Sequence, residues 1–352
     1  MEKLKKVTYG VKKTKYMVLN TGRDEEEKIE EEVKMGMIGC TDKYKYVGFN
    51  LDKHGNCLYH IEMKEMDIKG QIVALKSLAS YCNVGSKFVN VRLELYEACI
   101  VHSLLYNVEG WNKQSKKELK KLEQQQANAL CQLLELPRST PYLGLLNELG
   151  MWKMEQRLEY RRVMLVQNIV KSDDRRLTKR VINEQKEEDE DDDTIYRTTK
   201  NHLDKYGIDF NKIAQMKKSE LKGLMKTKIN QEMRKIIEKA AKNMTKLRFI
   251  KEEDFERKKY VMDMTGHECL QTVKTRLNML PVYGNYKADI TLQQKCPYCM
   301  LVDDTTEHTI QCTGLGPSLV KKEDFQNTDN TQLWRIINER TRFNIDNRSK
   351  RK

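Results

Sequence analysis

Nowhere in the sequence do apolar residues run for the about eighteen positions that a bilayer-crossing helix needs. The first residues, Met1 to Lys6, are charged where a secretory leader needs an apolar core. These two absences predict an intracellular chain, in nucleus or cytoplasm, with no membrane partner. Disulfides are then not expected, and six of the nine cysteines, Cys40, Cys57, Cys82, Cys99, Cys131 and Cys269, stand singly, as small buried hydrophobes do. A strict heptad is lacking too: the stretches 113–135 and 211–247 are long enough to pair with partner helices, but neither sustains the repeat.

What is present is length and charge. At 352 residues the chain suffices for two or three domains, and its 39% hydrophobic content can fill a core. With 33% charged residues and a mean hydropathy of -0.76, much polar helix is expected at the surface. A net charge of +13 and a pI near 9.1 point to an acidic partner, with nucleic acid first and an anionic membrane surface next.

The sharpest motif lies near the C-terminus, where Cys296, Cys299, His308 and Cys312 form a C-x2-C-x8-H-x3-C array. Three thiolates and an imidazole fill the four corners of a structural zinc site and leave no open position for a catalytic water. The paired cysteines form a tight knuckle, and 306–310 reads as a short helical turn that puts His308 and Cys312 on one face. Pro297 and the stretch Asp303-Asp304-Thr305-Thr306 supply turn and N-cap chemistry. His54, His60, His102, His202 and His267 have no such company and read as surface or core residues.

Along the chain, Lys15 to Asn20 and Tyr44 to Asp52 are strand-like, and Asp52-Lys53-His54-Gly55-Asn56 is a turn suited to a hairpin. Helical spacing follows. Ile68, Ile72, Leu75 and Leu78 keep one face, Phe88, Val91, Leu95, Cys99 and His102 a second, and Leu119, Leu122, Gln126, Leu130 and Leu133 a third. Leu136-Pro137 closes that helix and Ser139-Thr140-Pro141 opens the next element. Tyr142 to Val170 reads as one amphipathic helix with Lys153, Arg157, Arg161 and Arg162 on its basic side. Glu187 to Asp193 is wholly acidic and cannot be buried, so a linker and domain boundary are expected there. Beyond it, 213–280 is expected to be mainly helical and rich in lysine, including Lys217, Lys218, Lys222, Lys226 and Lys228.

The order of three segments carries a resemblance. Lys13 to Leu19, then Tyr44 to Asp52, then Leu104-Leu105-Tyr106-Asn107-Val108-Glu109-Gly110-Trp111 is similar to reverse transcriptases of non-LTR (LINE-type) retrotransposons. In that family a K-T-K-x-M segment follows the catalytic aspartate pair, and a Y-L-G turn forms the primer grip. Tyr46-Val47-Gly48 looks like the grip, with valine for leucine. Leu104 to Trp111 looks like the family's L-L-Y-G-x-E-x-W, with Asn107 for glycine. Asp303 to His308 is similar to a D-T-x-E-H knuckle found after many such thumbs.

The resemblance implies a mainly α fold. It places a small α+β palm remnant over 1–60, a helical thumb over 61–185, an acidic linker over 186–200, and a basic helical segment over 201–285. The Cys3His knuckle then takes 286–315 and a tail 316–352. The carboxylates that hold Mg²⁺ in such polymerases lie upstream of the K-T-K segment, so no Mg²⁺ site and no catalytic residue are expected in this chain. What remains is the holding of RNA or DNA, largely independent of sequence. Tyr46 and Gly48 at the grip and Lys153, Arg157, Arg161 and Arg162 on the thumb are the candidate contacts, and zinc is the structural cofactor. The alternatives are a helical protein-interaction scaffold, or a fragment of a complete RNA-directed DNA polymerase.

Overall fold

The computed structural model describes residues 15–18, 39–55, 57–81, 89–107, 114–188, 194–250, 255–285, 294–315, 320–321, 324–325 and 329–349. Among the described residues the fold is mainly helical with two small sheets. In the first, β1 (Lys15–Tyr16) pairs in parallel with β2 (Gly39–Cys40). In the second, β3 (Lys43–Tyr46) and β4 (Phe49–Asp52) form an antiparallel hairpin with Tyr46 opposite Phe49. Its turn is Val47-Gly48, not the expected 52–56. Both central residues have positive φ, 45° and 85°, which is the combination that matches the twist of a two-residue hairpin. A β-branched residue there is an outlier, so composition favoured the wrong turn. Asp52 to Gly55 does turn, with the Asp52 carboxylate accepting from the His54 amide, and it leads into the first helix.

Helix α1 (Leu58–Tyr81) buries Ile68, Ile72 and Leu75, as the spacing predicts, and Ile61 besides, while the Leu78 side chain lies outside what the structure describes. The next face differs. Helix α2 (Val89–Leu95) runs into a π-helical turn, Tyr96–Val101, and α3 (His102–Leu104), and buries Val89, Leu93, Tyr96, Ile100 and Leu104. Val91, Cys99 and His102 are exposed, and Leu95 is half-buried. Apolar residues line both sides of this stretch, and the side with the larger volumes wins the core.

Helix α4 (Lys116–Leu133) opens on a capping box in which the Ser115 hydroxyl accepts from the Glu118 amide and the Glu118 carboxylate accepts from the Ser115 amide. The same carboxylate accepts the Cys57 amide at 2.6 Å, which ties the start of α1 to the start of α4. Leu122, Gln126, Leu130 and Leu133 are buried as expected, and Leu119 packs at the margin.

The helix expected over 142–170 is two. Helix α5 (Tyr142–Leu149) stops at Gly150, in the left-handed conformation at φ 59°, and α6 (Met154–Val170) starts after it. A Cβ at Gly150 would lie 2.2 Å from the Arg257 amide nitrogen, so this chain crossing requires glycine. Nor does α6 have one apolar and one basic side: Gln156, Glu159, Arg162 and Gln167 are buried together with Met154, Leu158, Val163 and Val166.

Helix α7 (Leu177–Glu188) and α8 (Ile195–Lys205), which Thr194 caps, flank the acidic run and pack on each other, and α8 also packs on α6. Residues 189–193 of the expected linker lie outside the described residues. Long helix α9 (Lys218–Asn243) follows, burying Leu221, Met225, Ile229, Met233 and Ile237 at successive i+4 positions and receiving the Trp152 indole N–H on Asn230 at 2.7 Å. After it come α10 (Lys259–Asp263), α11 (Gly266–Arg276), α12 (Thr306–Gln311) and α13 (Thr331–Ser349). One cluster of buried residues runs from Cys57 to Ile337. The acidic run therefore separates two helices of one packed body, not two cores. No helix among the described residues is long and apolar enough to cross a membrane.

Candidate metal centre and the placement of the basic residues

Short-range chemistry builds the Cys3His site. Gln294 to Asp304 double back on themselves: the Cys296 amide donates to Val302 O at 2.8 Å, the Asp304 amide to Gln294 O at 2.9 Å, and Lys295 faces Asp303 in an antiparallel bridge. The Met300 amide then donates to Cys296 O at 2.9 Å and closes the knuckle. Met300 itself sits at φ 57°, a strained position for a residue with a side chain. Thr305 caps α12 by accepting the His308 amide at 3.1 Å, which aims the first turn of the helix at the knuckle.

The four ligand atoms of Cys296, Cys299, His308 and Cys312 lie within 4.8 Å of one another. Cys296 Sγ is 3.7 Å from Cys312 Sγ, and Cys299 Sγ is 3.2 Å from His308 Nε2. A tetrahedron with 2.3 Å zinc–sulfur bonds has S–S edges of about 3.8 Å, so the set is compatible with zinc. Cys296 and Cys312 are fully buried, and Cys299 and His308 half-buried. Backbone N–H groups of Leu301 and Val302, followed by His308, pull the Cys299 thiol down to about 6, while burial pushes Cys312 up to about 11. A cation would be needed to hold both as thiolates.

Neighbours found only in three dimensions brace the site. Arg340 of α13 donates to Cys312 O at 3.1 Å, Arg248 pairs with Glu307 at 2.7 Å, and Asn285 donates to the Thr306 hydroxyl at 2.9 Å. A Cβ on Gly314 would come within 3.1 Å of Tyr298, so the chain after Cys312 closes tightly over the knuckle. None of these partners carries a local sequence signal.

The expected nucleic-acid contacts fare differently. Arg162 is 3% exposed, and its burial lowers its pKa. Arg157 holds Glu97 in a two-pronged pair at 2.7 and 2.5 Å, Arg161 donates to Leu105 O at 2.8 Å, and Lys153 pairs with Glu123 at 2.9 Å. These four cations serve the packing of α6 and do not form a free basic face. Tyr46 is 62% exposed at the hairpin tip, and a Cβ on Gly48 would meet the Tyr106 ring at 3.3 Å. The hairpin turn and the segment starting at Leu104 are thus neighbours, although 108–113 lie outside the described residues.

Exposed cations that the sequence reading did not single out as contacts lie on α9. Lys235, Lys239 and Lys242 stand exposed there, with Lys228 half-buried on the same side. Their spacing, i, i+7, i+11 and i+14 from Lys228, was a helical signal available from the sequence.

Fold and site define a class: a mainly helical protein with a candidate Cys3His metal centre braced against its C-terminal helix. Comparison with protein-family models, with curated proteins and with solved structures finds no match to this chain.

Proposed function

We propose that this chain is a zinc-clipped nucleic-acid-binding protein that derives from the end of the palm, the thumb and the C-terminal region of a non-LTR retrotransposon reverse transcriptase. The observation that carries the binding is the surplus of exposed lysine on α9. Some lysines elsewhere meet carboxylates, as in Lys121–Glu65, Lys153–Glu123 and Lys205–Glu159. The α9 lysines Lys218, Lys222, Lys226, Lys235, Lys239 and Lys242 are exposed and have no ion pair among the described residues. Unneutralised charge of one sign on a chain of net +13 attracts a polyanion.

Two backbone details support the derivation. Asn107, which replaces the glycine of the family's L-L-Y-G segment, has φ 57°, a conformation that asparagine and glycine both tolerate. Tyr46-Val47-Gly48 is a turn and rests beside Tyr106, next to that asparagine. Four protein ligands make the zinc site closed, so its role is to hold structure.

The test is fluorescence anisotropy with labelled 20-mer DNA and RNA at two salt concentrations. Binding that weakens steeply with salt and little with sequence is the expected result. Absent or salt-insensitive binding overturns the reading and favours a protein-interaction scaffold.

A further inference from the structure

We infer that the outer face of α9 is a binding surface for the phosphate backbone of a nucleic-acid duplex; this rests on the nucleic-acid reading above and assigns it to particular residues. Lys228, Lys235, Lys239 and Lys242 share one face of the helix, and the last fourteen-residue span covers about 21 Å at 1.5 Å per residue. Lys235 and Lys239 point away from Met233 and Ile237, which are buried on the opposite side. On the flank, Lys218, Lys222 and Lys226 repeat every four residues.

The three acids of α9 do not pair with these rows: Glu220 accepts the Lys217 amide at the start of the helix, Glu238 pairs with Arg234 at 3.3 Å, and half-buried Glu232, the one acid beside Lys228 and Lys235, makes no ion pair among the described residues. Anchored through Asn230 to Trp152 and through its apolar ridge to the core, the helix presents its lysines on a fixed rod. Lysine is a compact point charge and suits phosphate without demanding a particular geometry.

The composition of the helix selects the form of nucleic acid. Residues 218–243 contain no aromatic side chain, so the face has nothing on which an unpaired base could stack, and stacking is what single-strand binders use. A duplex also offers about one phosphate charge per 1.7 Å of axis against about one per 3.4 Å for each strand. Backbone contact alone reads no bases, so DNA duplex and RNA–DNA hybrid both qualify, and both belong in the test.

The experiment measures binding of the full chain to a 20-base-pair DNA duplex, an RNA–DNA hybrid and the matching single strand over a salt series. The triple variant K235Q/K239Q/K242Q is compared with K116Q/K117Q/K120Q, which removes the same charge from exposed positions on α4. All six side chains are exposed, and matching melting curves check that folding is intact. Expected is a loss of duplex affinity of about tenfold or more for the α9 variant, with a salt slope lower by about 0.9 per lysine removed, and a smaller loss for the α4 variant. If wild type binds nucleic acid and the two variants lose affinity equally, or neither loses any, the α9 assignment is overturned while the nucleic-acid reading stands. Tighter binding of the single strand than of the duplex overturns the duplex assignment. If wild type binds none of the three, both fall.

Discussion

Arg276 is shut away from water, with Nε 2.7 Å from Glu148 and a terminal nitrogen 2.7 Å from Phe325 O, and its guanidinium lies 5.9 Å from the Trp334 ring. The Tyr260 hydroxyl donates to the same carboxylate at 2.5 Å. Five segments of the chain thus meet around one buried ion pair. Removing the cation leaves a buried carboxylate without its counter-charge, which costs about 3–5 kcal/mol. Arg276→Met should therefore lower Tm by several degrees in a thermal melt, and an unchanged Tm would show that Glu148 is satisfied without it. No reading of the sequence finds this pair, because Glu148 and Arg276 lie 128 positions apart. The candidate metal ligands were legible because seventeen consecutive residues hold all four of them. The partners of Arg157 and Arg161 and the burial of Arg162 were hidden for the same reason that Arg276 was missed: what surrounds a guanidinium sits on another element, and spacing along one helix cannot reveal it.

At the level of elements, the break between α5 and α6 decides how the middle of the fold is built. Hydrophobic spacing runs through Gly150 with little interruption, so a single helix was the natural expectation, yet the Glu256–Arg257 backbone crosses at that point. Gly150→Ala places a Cβ in a left-handed residue, costing about 1–2 kcal/mol, and adds a backbone collision that only displacement of residues 256–257 relieves. A lower denaturant midpoint is expected, with a loss greater than the conformational cost alone. A midpoint equal to wild type would mean that the crossing chain is free to move. The register of α2 teaches the same lesson from the other side. Val91 and Cys99 are apolar enough to pass for core, and only competition with Val89, Leu93, Tyr96 and Ile100 for one packed volume settles which face turns inward.

For the molecule as a whole, the candidate metal centre is an edge of the body and not its keystone. Phe325, Trp334 and Ile337 are fully buried in the common core, so α13 has anchors of its own besides the Arg340 contact to Cys312 O. If the candidate site holds zinc, removing it with a chelator, or replacing the candidate ligand in Cys299→Ser, should raise hydrogen exchange over 294–312 while leaving the described residues of 57–250 and the Trp334 turn protected. Zinc bound to wild type and unchanged in the variant would rule out Cys299 as a ligand. The sequence by itself determined what depends on near neighbours: the mainly helical character, the Cys3His array with its Thr305 cap, the core faces of α1 and α4, and the excess of positive charge. Tertiary structure alone decided which cations stay at the surface, where the 142–170 stretch breaks, and that the acidic run joins two packed helices. Those outcomes turn on competition between distant segments for the same volume and the same counter-charges. Lys239 on α9 and Arg157 on α6 look alike in the chain, and of the two only Arg157 has a carboxylate folded against it.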